Sequence, residues 1–195
     1  LVLVTGGLLA ENVLQYRYFA GLNPEVITSC CATIFAAGAG GAAAGLAALP
    51  PVPCQIAFLA GLVLTMGAGL RALRPGSSPA AFALLTVALG ALSVAAVISW
   101  IAPAFYQLPT HHCPFCLLSQ RSGFVGYPLY ASLSLAVVAG GSSGLVHRLR
   151  SIDPYHCIRP AEERRLCVTS MACFAFFSLI ALWPVLATGY RAGGH

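Results

Sequence analysis

The stretch Pro109-Thr110-His111-His112-Cys113-Pro114-Phe115-Cys116-Leu117-Leu118-Ser119-Gln120-Arg121 gathers two imidazoles, two thiols and a guanidinium into one short polar break. Its Cys113-Pro-Phe-Cys116 spacing lets two sulfurs close a disulfide around a single turn. The thiolate is the reactive form of cysteine, and nearby positive charge or a helix N-terminus favours it. The stretch precedes an apolar run and is therefore expected at a helix entry, with His111 and His112, when protonated, acting in the same direction. In a redox role Cys113, expected to be the more exposed sulfur, attacks a partner. Cys116, one turn deeper, resolves the mixed disulfide or meets a second redox partner. The same residues admit metal chemistry: His111, His112, Cys113 and Cys116 offer nitrogen and sulfur ligands suited to zinc or copper. A disulfide that merely pins the loop is the third reading, and the residue types leave all three open.

Ser29-Cys30-Cys31 is the second constellation. A disulfide between neighbouring cysteines is strained, so this pair suits a soft metal ion or two separate roles. Of the other four cysteines in a total of eight, Cys54, Cys167 and Cys173 read as small packing residues. Cys157 follows His156 in a loop where acids and arginines alternate, as they do in solvated loops facing lipid headgroups. Glu11 is a charge in an apolar run, expected to pair with Arg17 or to mark where the helix leaves lipid.

The run Cys113-Pro-Phe-Cys116-Leu-Leu-Ser-Gln-Arg121 resembles the C-x-x-C followed by Arg of the DsbB-type and vitamin K epoxide reductase-type membrane thiol–disulfide oxidoreductases. That resemblance implies a quinone-proximal pair at Cys113 and Cys116, with Arg121, and beside it His111, at the quinone. It also implies a thioredoxin-like periplasmic partner. Cys30-Cys31 in its Gly/Ala-rich setting resembles the first helix of mercuric-ion transport proteins, which implies receipt of a thiophilic cation and a metal-carrying partner. A non-catalytic subunit of a larger membrane assembly, its cysteines serving structure, is a further reading.

These groups need elements to hold them, and composition dictates which. Of 195 residues 58% are hydrophobic and only 8% charged, with a mean hydropathy of +0.84, whereas a soluble domain carries about 25% charged residues. Lipid must be the solvent, and backbone polar groups in lipid require helices. The expected fold is all-α: a single polytopic bundle over residues 1–195 with about six spans, near 1–19, 27–49, 54–70, 79–106, 124–146 and 167–190. Gly41 and Gly45 suggest a closely packed second helix, Pro128 and Pro184 suggest kinks, and Trp100, Phe105 and Tyr106 suggest an interfacial belt. Leu1 to Ala10 lacks a basic flank and a small-residue cleavage site, so it reads as part of a first span rather than a removable leader.

All ten basic residues are arginine, and the six-span topology puts eight on one face against Arg121 and Arg191 on the other. The positive-inside rule makes the first face cytoplasmic. The Cys113 loop then lies outside, periplasmic if the membrane is a bacterial inner membrane. Cys30 and Cys31 fall on the inner face unless the second and third segments form one re-entrant unit. No basic stretch reads as a nucleic-acid footprint, and no phosphate loop or Ser-His-Asp set is present.

Overall fold

The computed structural model describes residues 11–17, 41–74, 76–108, 111–150 and 160–188. Among them are no strands, and four helices are long and apolar enough to cross a membrane. After a short helix α1 (Ala42–Ala47) come α2 (Pro51–Ala72) and α3 (Ala80–Ala96). A π turn (Val97–Ile101) joins α3 to α4 (Ala102–Tyr106) as one rod, followed by α5 (Gly126–Arg150) and α6 (Pro160–Thr188). These correspond to the last four expected spans. The first two, with Cys30 and Cys31, fall largely outside the described residues, as do His156 and Cys157.

Proline placement explains several boundaries. The third span is longer than expected, 22 residues, because the Pro50–Pro53 run does not exclude the helix. Pro50 is the extended cap, and Pro51 and Pro53 occupy the first turn, where an N–H has no helical acceptor anyway. Pro128 likewise sits in the first turn of α5, so it breaks no ladder bond and starts the helix rather than kinking it. Pro184 lies inside α6, which runs on to Thr188.

The four long helices form a ring in which α5 packs on α3 and α6, and α2 packs on α3 and, more lightly, α6. Among the described residues the close approaches lie on glycines of the long helices. A Cβ at Gly90 would strike Val137, at Gly144 it would lie 2.6 Å from the Ala83 Cβ, and at Gly140 2.6 Å from the Ser170 Oγ. At Gly41 and Gly45 no atom of the described residues comes within 4 Å. Small residues matter in membranes because lipid tails supply no hydrophobic drive to press helices together, leaving backbone proximity to do so.

Phe58 of α2, Trp100 of the π turn and Phe177 of α6 meet in the core, with ring centroids 6.1 Å apart for Phe58–Trp100 and 6.0 Å for Phe58–Phe177. Trp100 is therefore not an interfacial anchor: it is 1% exposed, and Phe105 and Tyr106 pack against the same core. The residues left outside among those described include Val63, Leu84, Leu135, Val138, Leu179 and Leu186, an apolar exterior suited to lipid. At the end carrying the Cys113 loop, exposed Phe115, Phe124, Tyr127 and Trp183 supply the aromatic residues instead.

The opposite end gathers charge. Glu162 and Glu163 lie in the first turn of α6, where the helix dipole favours acids. Glu163 meets His147 of α5 at 3.1 Å, and Glu162 meets Arg165 at 3.0 Å. Far from the bundle in sequence, Glu11 accepts a hydrogen bond from Gln15 at 3.3 Å; its expected pairing with Arg17 is not among the ion pairs of the described residues.

Candidate functional site

The site forms where the rod α3–α4 ends and α5 begins. In the π turn the Ala102 N–H bonds to the Val97 carbonyl. The next donor in that register would belong to Pro103, which has none, so the Ile98 carbonyl is left over. His112 takes it: its Nδ1–H donates to Ile98 O at 2.9 Å. A carbonyl only accepts, which fixes the tautomer of the neutral ring and leaves Nε2 with the lone pair. His111 stands edge-on to Tyr106 at 4.7 Å. One imidazole thus ties the loop to the helix while the other packs on an aromatic ring, so the adjacent histidines diverge.

Cys113 and Cys116 belong to one small apolar cluster with Leu46 and Ala47 of α1 and with Ile98. Their exposures reverse the expected order. Cys113 is buried, 1% exposed, beneath α1, while Cys116 is half-buried. Nor do they sit at the start of α5. They lie in and before a 3-10 turn (Phe115–Leu118), which a second such turn (Gln120–Ser122) separates from Gly126. Ser119 is extended, and Gly123 and Phe124 take positive φ, so the chain bends twice before α5. The α5 dipole is felt within its first turn and does not govern these sulfurs.

The turn itself is tightly held. The Cys116 carbonyl accepts from the Ser119 N–H at 3.0 Å, the Ser119 hydroxyl at 2.7 Å and the Ser122 hydroxyl at 3.0 Å. Tyr130 of α5 donates to the Pro114 carbonyl at 2.5 Å, and Tyr106 donates to the Cys113 carbonyl at 3.4 Å. Both phenols lie within electrostatic reach of both thiols. Leu117 is fully buried in the bundle core and pegs the turn from below. Gly126 permits this seating, since a Cβ there would stand 2.8 Å from the Leu117 carbonyl carbon.

Beside the turn lies an apolar hollow of about 270 Å³, lined by Val94, Val97 and Ile98 of the α3 rod, by Pro114, Phe115 and Leu118 of the turn, and by Tyr130 and Leu133 of α5. It is slightly smaller than the ~300–1,000 Å³ of pockets for drug-sized ligands. No signal in the sequence marked Val94, Leu133, Tyr130 or Gly126, because they join the loop only through helix packing.

No disulfide joins the five described cysteines Cys54, Cys113, Cys116, Cys167 and Cys173. Among the described residues no three His, Cys, Asp or Glu side chains come together as a metal-holding group. His111, His112, Cys113 and Cys116 thus do not converge as one ligand set. The backbone of Arg121 lies in the second 3-10 turn, while its side chain is outside what the structure describes. Searches of known protein families, curated proteins and solved structures returned no match to the chain.

Proposed function

We propose that the chain is a membrane thiol–disulfide oxidoreductase in which Cys113 and Cys116 exchange electrons between a protein dithiol and a lipid-soluble quinone. The observation that carries this is the pairing of a half-buried thiol with a buried one in a tightly hydrogen-bonded turn, directly beside an apolar hollow. In the oxidised state a substrate thiolate attacks the Cys116 sulfur, breaking the Cys113–Cys116 bond and releasing Cys113 as the thiolate. The second substrate thiolate attacks the mixed disulfide, freeing Cys116 and leaving the substrate oxidised. A quinone held beside the turn by Pro114, Phe115, Tyr130 and Leu133 would supply the terminal acceptor for the two electrons and two protons that leave the thiols as the Cys113–Cys116 bond reforms.

The chain's own contribution is positional. Three hydrogen bonds on the Cys116 carbonyl and the Leu117 peg hold the pair, while Cys113, covered by α1, is shielded from stray thiols. Arg71, Arg74, Arg148, Arg150, Arg164 and Arg165 lie at the end opposite this turn, and the positive-inside rule then favours a non-cytoplasmic turn facing an oxidising compartment.

The test is quinone reduction by purified protein with a thioredoxin-like dithiol as donor. Cys113→Ser and Cys116→Ser should each abolish turnover, and Cys113→Ser offered the donor protein in its disulfide form should accumulate a mixed disulfide on Cys116, whose thiolate attacks that disulfide and releases one donor thiolate. Stoichiometric zinc or copper that is lost on Cys113→Ser, with no quinone-linked cycling, would replace the redox assignment by metal binding.

A further inference from the structure

At the end of the bundle away from the cysteines, α2, α3 and the turn between them line a cleft of about 800 Å³. Its walls are Val63, Leu64, Gly67 and Ala68 of α2, and Ala80 and Ala81 of α3; its mouth carries Arg71, Ser77 and Ser78. The residues on α2 recur at four-residue spacing, so they form one stripe on that helix. Among the described residues small side chains leave the stripe unfilled: none of their atoms lies within 4 Å of a Cβ at Gly67 or at Gly76. The stripe from Val63 to Arg71 runs about 12 Å at 1.5 Å per residue, most of one ~15 Å leaflet of hydrocarbon.

The mouth is cationic and rich in donors. Arg71 is exposed, and the ion pairs among the described residues, His147–Glu163 and Arg165–Glu162, do not include it. The Ser78 hydroxyl oxygen accepts from the Ala80 N–H at 3.3 Å, leaving its proton to donate. A ligand that fits must carry an anionic, hydrogen-bond-accepting head and an aliphatic tail lying along Gly67 and Val63. We infer that this cleft is a binding site for an anionic phospholipid of the surrounding leaflet, its phosphate on Arg71 and the Ser77–Ser78 hydroxyls and an acyl chain against the α2 stripe. A neutral zwitterionic lipid offers the same tail but presents the guanidinium with a head of no net charge, so the charge match selects the anionic one.

The full chain, delipidated and returned to nanodiscs of phosphatidylcholine with or without phosphatidylglycerol, is examined by native mass spectrometry for retained lipid and by thermal melting. Phosphatidylglycerol should be retained in preference to phosphatidylcholine and should raise the melting temperature. Arg71→Gln should weaken retention about fivefold, the worth of one arginine near an anionic surface. Gly67→Leu, which fills the cleft without touching the charge, should displace the lipid while leaving the fold intact. Equal retention of the two lipids, or retention unchanged in Gly67→Leu, would overturn the site in favour of diffuse surface attraction. Stabilisation by inorganic phosphate alone to the same extent would overturn the lipid as its occupant. The cysteines take no part, so quinone reduction should be unchanged in both variants, and its failure would leave this inference untouched.

Discussion

Replacing Gly126 with alanine tests how the cysteine turn is seated. The new Cβ would lie 2.8 Å from the Leu117 carbonyl carbon, 2.9 Å from its oxygen and 3.0 Å from the Leu118 Cδ2. Non-bonded carbons rest at about 3.5–4.0 Å, so the turn must retreat by at least ~0.7 Å. The obstructing atoms are largely backbone and cannot rotate aside, and Leu117 is already fully buried. Overpacking of this kind costs about 1–3 kcal/mol, while removing a helical glycine returns only about 0.5–1 kcal/mol. The balance is destabilising by about 1–2 kcal/mol, a fall of roughly 2–8 °C for a chain of this size. A displacement approaching 1 Å of the reacting groups can cost up to ~100-fold in rate, so turnover should drop about tenfold. Gly141→Ala is the control, since its nearest neighbour is the Val87 Cγ2 at 3.9 Å, an ordinary contact. The measurements are thermal melting in detergent and quinone-reduction rate. A Gly126→Ala protein that melts higher, as Gly141→Ala should, with undiminished turnover, would refute the close seating.

Leu117→Ala should lose about 2–5 kcal/mol as the peg is withdrawn from the core, and should quicken alkylation of Cys113, read by maleimide mass shift. His112→Phe orphans the Ile98 carbonyl and should cost about 1–3 kcal/mol; His112→Asn, which keeps a donor in place, should recover part of the loss in a melting assay. Val94→Trp fills the hollow beside the turn and should raise KM for quinone about tenfold or more, with KM for the protein dithiol unchanged. Equal rises in both constants would place quinone elsewhere.

Composition and hydropathy were enough to require lipid and helices, because 8% charged residues cannot clothe a soluble globule and bare backbone cannot sit in hydrocarbon. They also located the four spans the structure describes, to within a few residues except at the start of α6, which begins at Pro160 rather than near 167, and the C-x-x-C spacing singled out Cys113 and Cys116 as a candidate pair. The two sulfurs' relative exposure could not be read there. It depends on α1 lying over Cys113 and on a bent path between Cys116 and Gly126, set by a π turn, a proline without an N–H and positive φ at Gly123 and Phe124. Trp100 was misjudged for a related reason: amphipathic character names residues fit for an interface, but only the rotation of the π turn decides which way the ring faces. The local pattern of residue types determines solvent and secondary structure and nominates candidate reactive groups. Contacts between residues far apart in the chain, such as His112 with Ile98, Tyr130 with Pro114 and Gly126 with Leu117, are decided only when helices pack, and those contacts give the turn its shape.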